Sequence, residues 1–350
     1  MNIKSLLLGS AAALAAVSGA QAADAIVAAE PEPMEYVRVC DAFGTGYFYI
    51  PGTETCLKIG GRVRFDAAYA DPYTPNSDGT YTNTRAEIYM DSATDTEWGA
   101  LKTSITARFD YNPRYDVSTL DGNNTRTRLI GANIQLGGFL VGLADSQYSA
   151  FIGYTADVIN DDVISYGPFE LNQVSYTFDA GNGFSAVVAI EDDGNIESDG
   201  GSASDWPDVV GGVKFDNGSF MAAVVAGYDE SAEEGGIKAR IGGNVGALSL
   251  FVEGGWNTDG DTTNKYAPGD SAGIGWGDWA VWGGGGYKFS DKVAANLQLA
   301  YTDNKTFAAT GNIAWTPVKG FLIQPEVSYT DWDAIDESQW SGMLRVQRTF

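Results

Sequence analysis

The chain is organised by a period of two. Within residues 57–70, Leu57, Ile59, Val63, Phe65, Ala67 and Tyr69 fall on one side, and Lys58, Arg62, Arg64 and Asp66 on the other. Successive side chains of a strand point to opposite faces, so this alternation predicts a β-strand with one apolar and one charged face. Thr82, Thr84, Ala86, Ile88 and Met90 alternate in the same way with Asn83, Arg85, Glu87 and Tyr89. Leu101, Ile105 and Phe109 alternate with Lys102, Arg108 and Asp110. Further segments cover residues 126–137 and 139–146, and others begin near Leu171, Phe184, Pro207, Ser219, Gly236, Ala247, Gly277, Lys292, Lys305, Phe321 and Gln339. The total is sixteen segments of roughly 9–12 residues, the length of a tilted membrane-crossing strand. Helical periodicity is nearly absent.

The connections alternate in length. Residues 137–138, 180–183, 216–219, 244–247, 290–292 and 317–320 form short ones, and residues 71–80, 112–125, 147–170, 192–206 and 257–276 form long ones. Sandwiches and propellers also contain many alternating strands. An even strand number with short turns at one end and long loops at the other instead predicts an all-β fold, a 16-stranded antiparallel transmembrane β-barrel. The polar faces support this. Lys58, Arg62, Arg64, Lys238, Arg240, Asn296 and Gln298 would be buried in a sandwich, whereas a barrel gives them a water-filled lumen and gives the apolar faces to lipid.

Aromatic residues sharpen the picture. On outward parity, Tyr69, Tyr111, Tyr228, Trp256, Tyr301 and Tyr329 are expected at strand ends that enter long loops. Phe178, Phe184, Phe215, Phe220, Phe289, Trp315, Phe321 and Phe350 lie near the short turns. Two such girdles mark the two membrane interfaces. In the final strand Trp340, Leu344, Val346 and Phe350 share the outward face, and Phe350 resembles the terminal signal read by the outer-membrane assembly machinery. Arg348 breaks the apolar pattern and is expected to snorkel at the interface.

Residues 1–22 carry Lys4, an apolar run over residues 6–17 and the small-residue site Ala20-Gln21-Ala22, which together predict a cleaved secretory signal peptide. Loss of Lys4 changes the formal charge to 20 − 46 = −26. So acidic a chain repels phosphates, and no nucleic-acid partner is expected. Cys40 and Cys56 are the two cysteines, and in an exported protein they are expected to form a disulfide. The organisation expected is thus a signal peptide over residues 1–22, an extension over residues 23–56 that holds the disulfide, and the barrel over residues 57–350. There is no histidine, which removes every histidine-based catalytic or metal-binding set. No cofactor, metal site or catalytic residue is expected, and the chain is not read as an enzyme.

Several long stretches resemble the alphaproteobacterial general porins: VRVCDAFGTGYFYIPGTETCLKIGG from Val37, DVINDDVIS from Asp157, YTFDAGNGFSAVVAIE from Tyr176, PDVVGG from Pro207, GDWAVWGG from Gly277, PEVSYT from Pro325 and the terminal VQRTF. The resemblance spans the chain. It implies a homotrimer in the outer membrane, embedded in its lipid, through which small hydrophilic solutes and ions diffuse passively. It also implies a third external loop folded into the pore. The residues agree separately, because residues 147–170, the third long connection, hold Phe151, Ile152, Tyr154, Val158, Ile159, Val163 and Ile164, which a solvated loop rarely carries. Contact with another subunit is the alternative use of these apolar groups.

With that loop against the wall, Asp157, Asp161 and Asp162 are expected at the pore constriction. Inward parity places Lys58, Arg62, Arg64, Arg85, Lys102 and Arg108 on the first three strands as a basic wall across from them. A transverse field of this kind orders water and orients dipolar solutes, so selection comes from size, charge and polarity. A sugar- or oligosaccharide-specific channel of the same fold is the alternative. It needs an aromatic track along the lumen, and the inward aromatics Tyr89, Phe251 and Trp282 are scattered.

Overall fold

The computed structural model describes residues 38–71, 79–113, 124–192, 206–270 and 272–350. The proposed signal peptide, and the extension before residue 38, lie outside the described residues. A two-residue strand, β1 (Phe48–Tyr49), precedes the barrel. The first half of the barrel comprises β2 (Cys56–Ala70), β3 (Gly79–Thr96), β4 (Gly99–Tyr111), β5 (Thr125–Leu136), β6 (Phe139–Asp145), β7 (Glu170–Asp179), β8 (Phe184–Glu191) and β9 (Asp208–Asp216). The second half comprises β10 (Phe220–Asp229), β11 (Glu234–Val245), β12 (Leu248–Asn257), β13 (Trp279–Ser290), β14 (Val293–Thr302), β15 (Thr306–Val318), β16 (Phe321–Trp332) and β17 (Glu337–Thr349). Each barrel strand pairs antiparallel with its neighbours in sequence, and β17 returns to β2, giving a closed barrel of 16 strands. Closure gives every strand two hydrogen-bonded edges, the condition for backbone to cross lipid without water.

The period of two settles which side faces lipid. On β2, Phe65 and Tyr69 are 44% and 50% exposed on the outside, whereas Arg64 and Asp66 are 9% and 6% exposed inside. Both aromatic sets face outward at strand ends, with Trp256 and Phe350 among the exposed members. Arg348 donates from Nη1 to the carbonyl of Lys319 at 2.6 Å, so its charge is held at the β15–β16 turn beside the interface. The two-residue turn Gly137-Gly138 has φ of 58° and 93°, the left-handed pair that a tight hairpin requires. Length asymmetry holds for the external connections over residues 146–169 and 258–278, but residues 230–233, 303–305 and 333–336 also close external ends. Those three use Glu233, Lys305 and Asp336 at positive φ to reverse the chain in few residues.

The seam differs from the other strand pairs. β17 pairs with β2 from Ser341 opposite Ala70 to Thr349 opposite Arg62. Phe350 then exchanges two backbone hydrogen bonds with Gly61, each 3.0 Å. β2 continues five residues further toward its start, and on that otherwise open edge β1 places Phe48 opposite Leu57 and Tyr49 opposite Cys56. The Cys40–Cys56 disulfide, buried against Ala93, ties this segment down. Barrel structure therefore begins at Cys56, one residue before the expected boundary, because that residue already pairs with Ala93 of β3.

Candidate functional site

The inward faces of β2–β5 carry charges whose partners follow from register. Arg62 lies opposite Glu87, and Arg64 lies opposite Arg85. Arg62 Nε and Arg108 Nε both reach Glu87, at 2.5 Å and 2.7 Å, from opposite sides. Arg85 Nε donates to Asp110 Oδ1 at 2.6 Å, and Arg64 Nε donates to Gln347 Oε1 at 2.9 Å. Arg345 holds Asp66 through both Nε and Nη2. Arg128 continues the cluster by pairing with Glu170 at 3.3 Å. Four of the expected wall bases, Arg62, Arg64, Arg85 and Arg108, thus share one patch. Lys58 and Lys102 do not join it. Lys58 sits four residues toward the periplasmic end of β2, about 13 Å along the strand, beneath the Tyr47 ring at 5.8 Å. Lys102 lies opposite Ala93, at the same end.

On the other half of the barrel, residues 146–169 run along the inner wall. Ser146 starts the turn: its Oγ accepts from the Tyr148 amide at 3.1 Å and donates to Glu191 Oε2 at 2.7 Å. The short helix α1 (Gln147–Ala150) then buries Tyr148 against Ala189, Val210, Ala223 and Val225, with Ile152 just beyond it. Gly167, at φ 140°, lets the returning chain pass the Tyr148 ring, which a Cβ there would meet at 2.7 Å.

Inward polar side chains replace water for the loop backbone. Gln298 accepts from the Ala156 amide at 3.0 Å and donates to the Asp161 carbonyl at 2.8 Å. Asn312 donates to the Asp157 carbonyl at 2.9 Å. Glu326 accepts from the Ile159 amide and, at 2.8 Å, from the Asn160 amide. Trp276 and Trp282 donate indole N–H to the carbonyls of Ser165 and Ile164 at 2.7 Å and 3.0 Å. Lys238 donates to the Tyr166 carbonyl at 2.6 Å from between the Tyr148 and Tyr166 rings. The pegs come from β11, β13, β14, β15 and β16, and Trp276 from the connection before β13, so the loop follows the wall across several strands.

The three loop aspartates differ. Asp157 and Asp162 are exposed, and Asp161 is half-buried. Asp161 accepts from Tyr166 Oη at 2.8 Å. Burial, reinforced by the neighbouring Asp162, pushes its carboxyl up to about 6, against the opposing pull of the Tyr166 hydrogen bond. The inward aromatics sit in three separate settings. Tyr89 donates to Glu87, Phe251 lies under the Arg240 guanidinium at 4.3 Å, and Trp282 is covered by the loop.

Parity alone could have supplied Glu87, Asp110 and Asp66, which lie on the same inward faces as the arginines. Pairing them needed the register. Gln298, Lys238 and Arg240 stood out in the sequence as polar inward residues, but their role as loop pegs was not visible there. Nothing local in the sequence marks Glu191, Glu326 or Trp276 as loop anchors.

A closed barrel of sixteen strands, apolar outside and charged inside, with one connection laid along its inner wall, is a transmembrane channel barrel. Residues 24–347 match the family described as the porin subfamily. Porin Omp2b of Brucella canis is 45% identical over 371 residues covering 100% of both chains, and Porin Omp2b of Brucella abortus (strain 2308) gives the same values. The chain belongs to this porin family and forms an outer-membrane diffusion pore. Among solved structures, the outer membrane channel DcaP of Acinetobacter baumannii shares the fold at TM-score 0.63 and 16% identity, over 86% of this chain and 99% of that one. The anion-selective porin from Comamonas acidovorans does so at TM-score 0.61 and 14% identity, over 85% of this chain and 100% of that one.

Proposed function

We propose that the chain works as a homotrimer of water-filled pores for small hydrophilic solutes and ions, with weak preference for cations, and that it catalyses no reaction. The carrying observation is the placement of two exposed acids, Asp157 and Asp162, on a loop pegged to one half of the wall while the arginine patch occupies β2–β5. Glu87, Asp110 and Asp66 neutralise much of that patch, which supports a modest anion-attracting contribution from the wall. The acidic chain as a whole then tips the balance toward cations, through a field that salt screens over roughly 10 Å at 0.1 M.

Reversal potentials across planar bilayers in asymmetric potassium chloride test the assignment. Asp157→Asn, Asp161→Asn and Asp162→Asn together should move the potential toward anions. An unchanged potential in this triple variant removes these aspartates from the constriction. Crosslinking with gel mobility before and after boiling tests the trimer.

A further inference from the structure

On β11 and β12, beneath the third loop, two cations share one carboxylate. Lys238 and Arg240 of β11 share Glu253 of β12, with Nζ at 3.2 Å and Nη1 at 3.1 Å. Lys238 is fully enclosed, and its ammonium is committed to the Tyr166 carbonyl and two rings. Arg240 spends Nη1 on Glu253 and on the Tyr154 and Gly153 carbonyls. Its Nε is buried without a hydrogen-bond partner, while the side chain keeps 11% exposure.

Arg240 lines an alcove of about 330 Å3 between the underside of the loop and the wall. That volume is at the low end of the roughly 300–1,000 Å3 of small-molecule sites. The loop supplies an opposite charge to the same alcove. Asn312 and Gln324 hold the Asp157 carbonyl at 2.9 Å and 3.3 Å, which fixes the backbone while its side chain remains exposed. Asp157 has no ion pair among the described residues. Gly242, Gly286, Ser249 and Asn296 give the floor short groups beside the larger Met221 and Phe251, and Asp216 lines the alcove as a second carboxylate. A Cβ at Gly286 would come within 2.4 Å of Asn296 Oδ1, so glycine keeps the floor clear there.

We propose that this alcove is a subsite for zwitterionic, amino-acid-sized solutes, with the solute carboxylate toward Arg240 and its ammonium toward Asp157. A guanidinium attracts a carboxylate through its charge and any N–H left to donate, and an unpaired carboxylate accepts from an ammonium. A polyol of similar size answers neither charge, so opposite charges lining one alcove discriminate by charge separation rather than by volume. Asp157 is open, whereas Arg240 shows only a small part of its side chain, so the solute is held by partial contact and its dwell stays short enough for passage. The proposal rests on the passive-diffusion reading and adds a preferred solute class to it.

The test is current-fluctuation analysis of the full-length pore in planar bilayers at neutral pH, with serine, serine methyl ester, N-acetylserine and glycerol as probes. The methyl ester lacks the carboxylate and the acetylated form lacks the ammonium. Serine should give saturable fluctuations about tenfold stronger than any other probe. Ser249→Phe, which fills the floor, should abolish them while leaving open-channel conductance in salt largely intact. Equal fluctuations from all four probes, or a serine signal that survives Ser249→Phe in a conducting pore, overturn the subsite alone. If Ser249→Phe does not fold, the four-probe comparison on the unaltered protein decides by itself. Absence of any open-channel conductance overturns the pore reading and the subsite with it.

Discussion

Arg64 and Arg85 stand directly opposite each other on β2 and β3, two like charges on one pair of strands. They tolerate this because each turns to a different partner. Arg85 takes the Asp110 carboxylate, and Arg64 takes the neutral amide oxygen of Gln347. The charge of Arg64 therefore remains uncancelled by its own contact, whereas Arg62 and Arg108 divide Glu87 between them.

Arg64→Gln should raise the cation-to-anion permeability ratio, by roughly twofold at 0.1 M salt and by less at 1 M, where screening shortens to about 3 Å. Arg85→Gln should have a smaller effect on passage per charge removed, because it frees Asp110 and disturbs the local packing as well. Reversal potentials at the two salt concentrations measure both. Equal shifts from the two variants would show that pairing does not set the effective wall charge.

The Asp161 carboxyl, pushed up to about 6, should give the pore a pH dependence near that value. The group is flanked by Asp162, Tyr166 and Thr155 on the loop, and Gln298 of β14 holds its own carbonyl. Above that value it is charged, and as the pH falls through it the proton removes one negative charge. Cation preference should therefore decline between pH 7.5 and pH 5, by roughly the effect of one screened charge. Asp161→Asn should flatten this step. A step of the same size in Asp161→Asn assigns it to another group.

Much of this was legible in the residues, for reasons that differ between parts. Strand number and facing were legible because lipid imposes a strict alternation, so Ile59, Val63 and Phe65 reveal the outside whatever the register. The third loop was legible because Phe151, Ile152 and Ile164 are costly in water. The pairing of Arg108 with Glu87, from β4 to β3, was not legible, because it depends on a register that outward and inward parity leaves open in steps of two. The loop anchors Glu191 and Glu326 lie far from the loop in sequence, and each is an ordinary strand residue until the barrel closes.

The lipid face and the lumen face of a single strand should answer oppositely to one substitution. Leu297 of β14 is 53% exposed on the outside, while Gln298 points in. Leu297→Arg near mid-membrane should cost about 2–4 kcal/mol of folding free energy. Gln298→Arg should leave insertion intact and instead release the Ala156 and Asp161 contacts of the loop. Denaturant unfolding in lipid vesicles measures the first and single-channel conductance the second.

No cysteine thiol should be reactive in the mature protein under denaturing, non-reducing conditions, since Cys40 and Cys56 are joined across 16 residues. Cys40→Ser with Cys56→Ser should lower stability by up to ~3 kcal/mol in the loop-entropy picture, seen as a lower temperature for loss of the compact gel form. Retention of the compact form at the original temperature would show that β1 is held by its pairing alone.

The seam also makes the two ends of the chain rivals for one edge. Phe350 stops opposite Gly61, and β1 occupies the same side of β2 a few residues on, opposite Leu57 and Cys56. Residues appended to the terminus in extended form would run past Gly60 and meet Tyr49 and Phe48 head on. One edge of β2 thus has two tenants, and any lengthening of β17 along it would evict the disulfide-bound hairpin, whereas an insertion in an external connection would not.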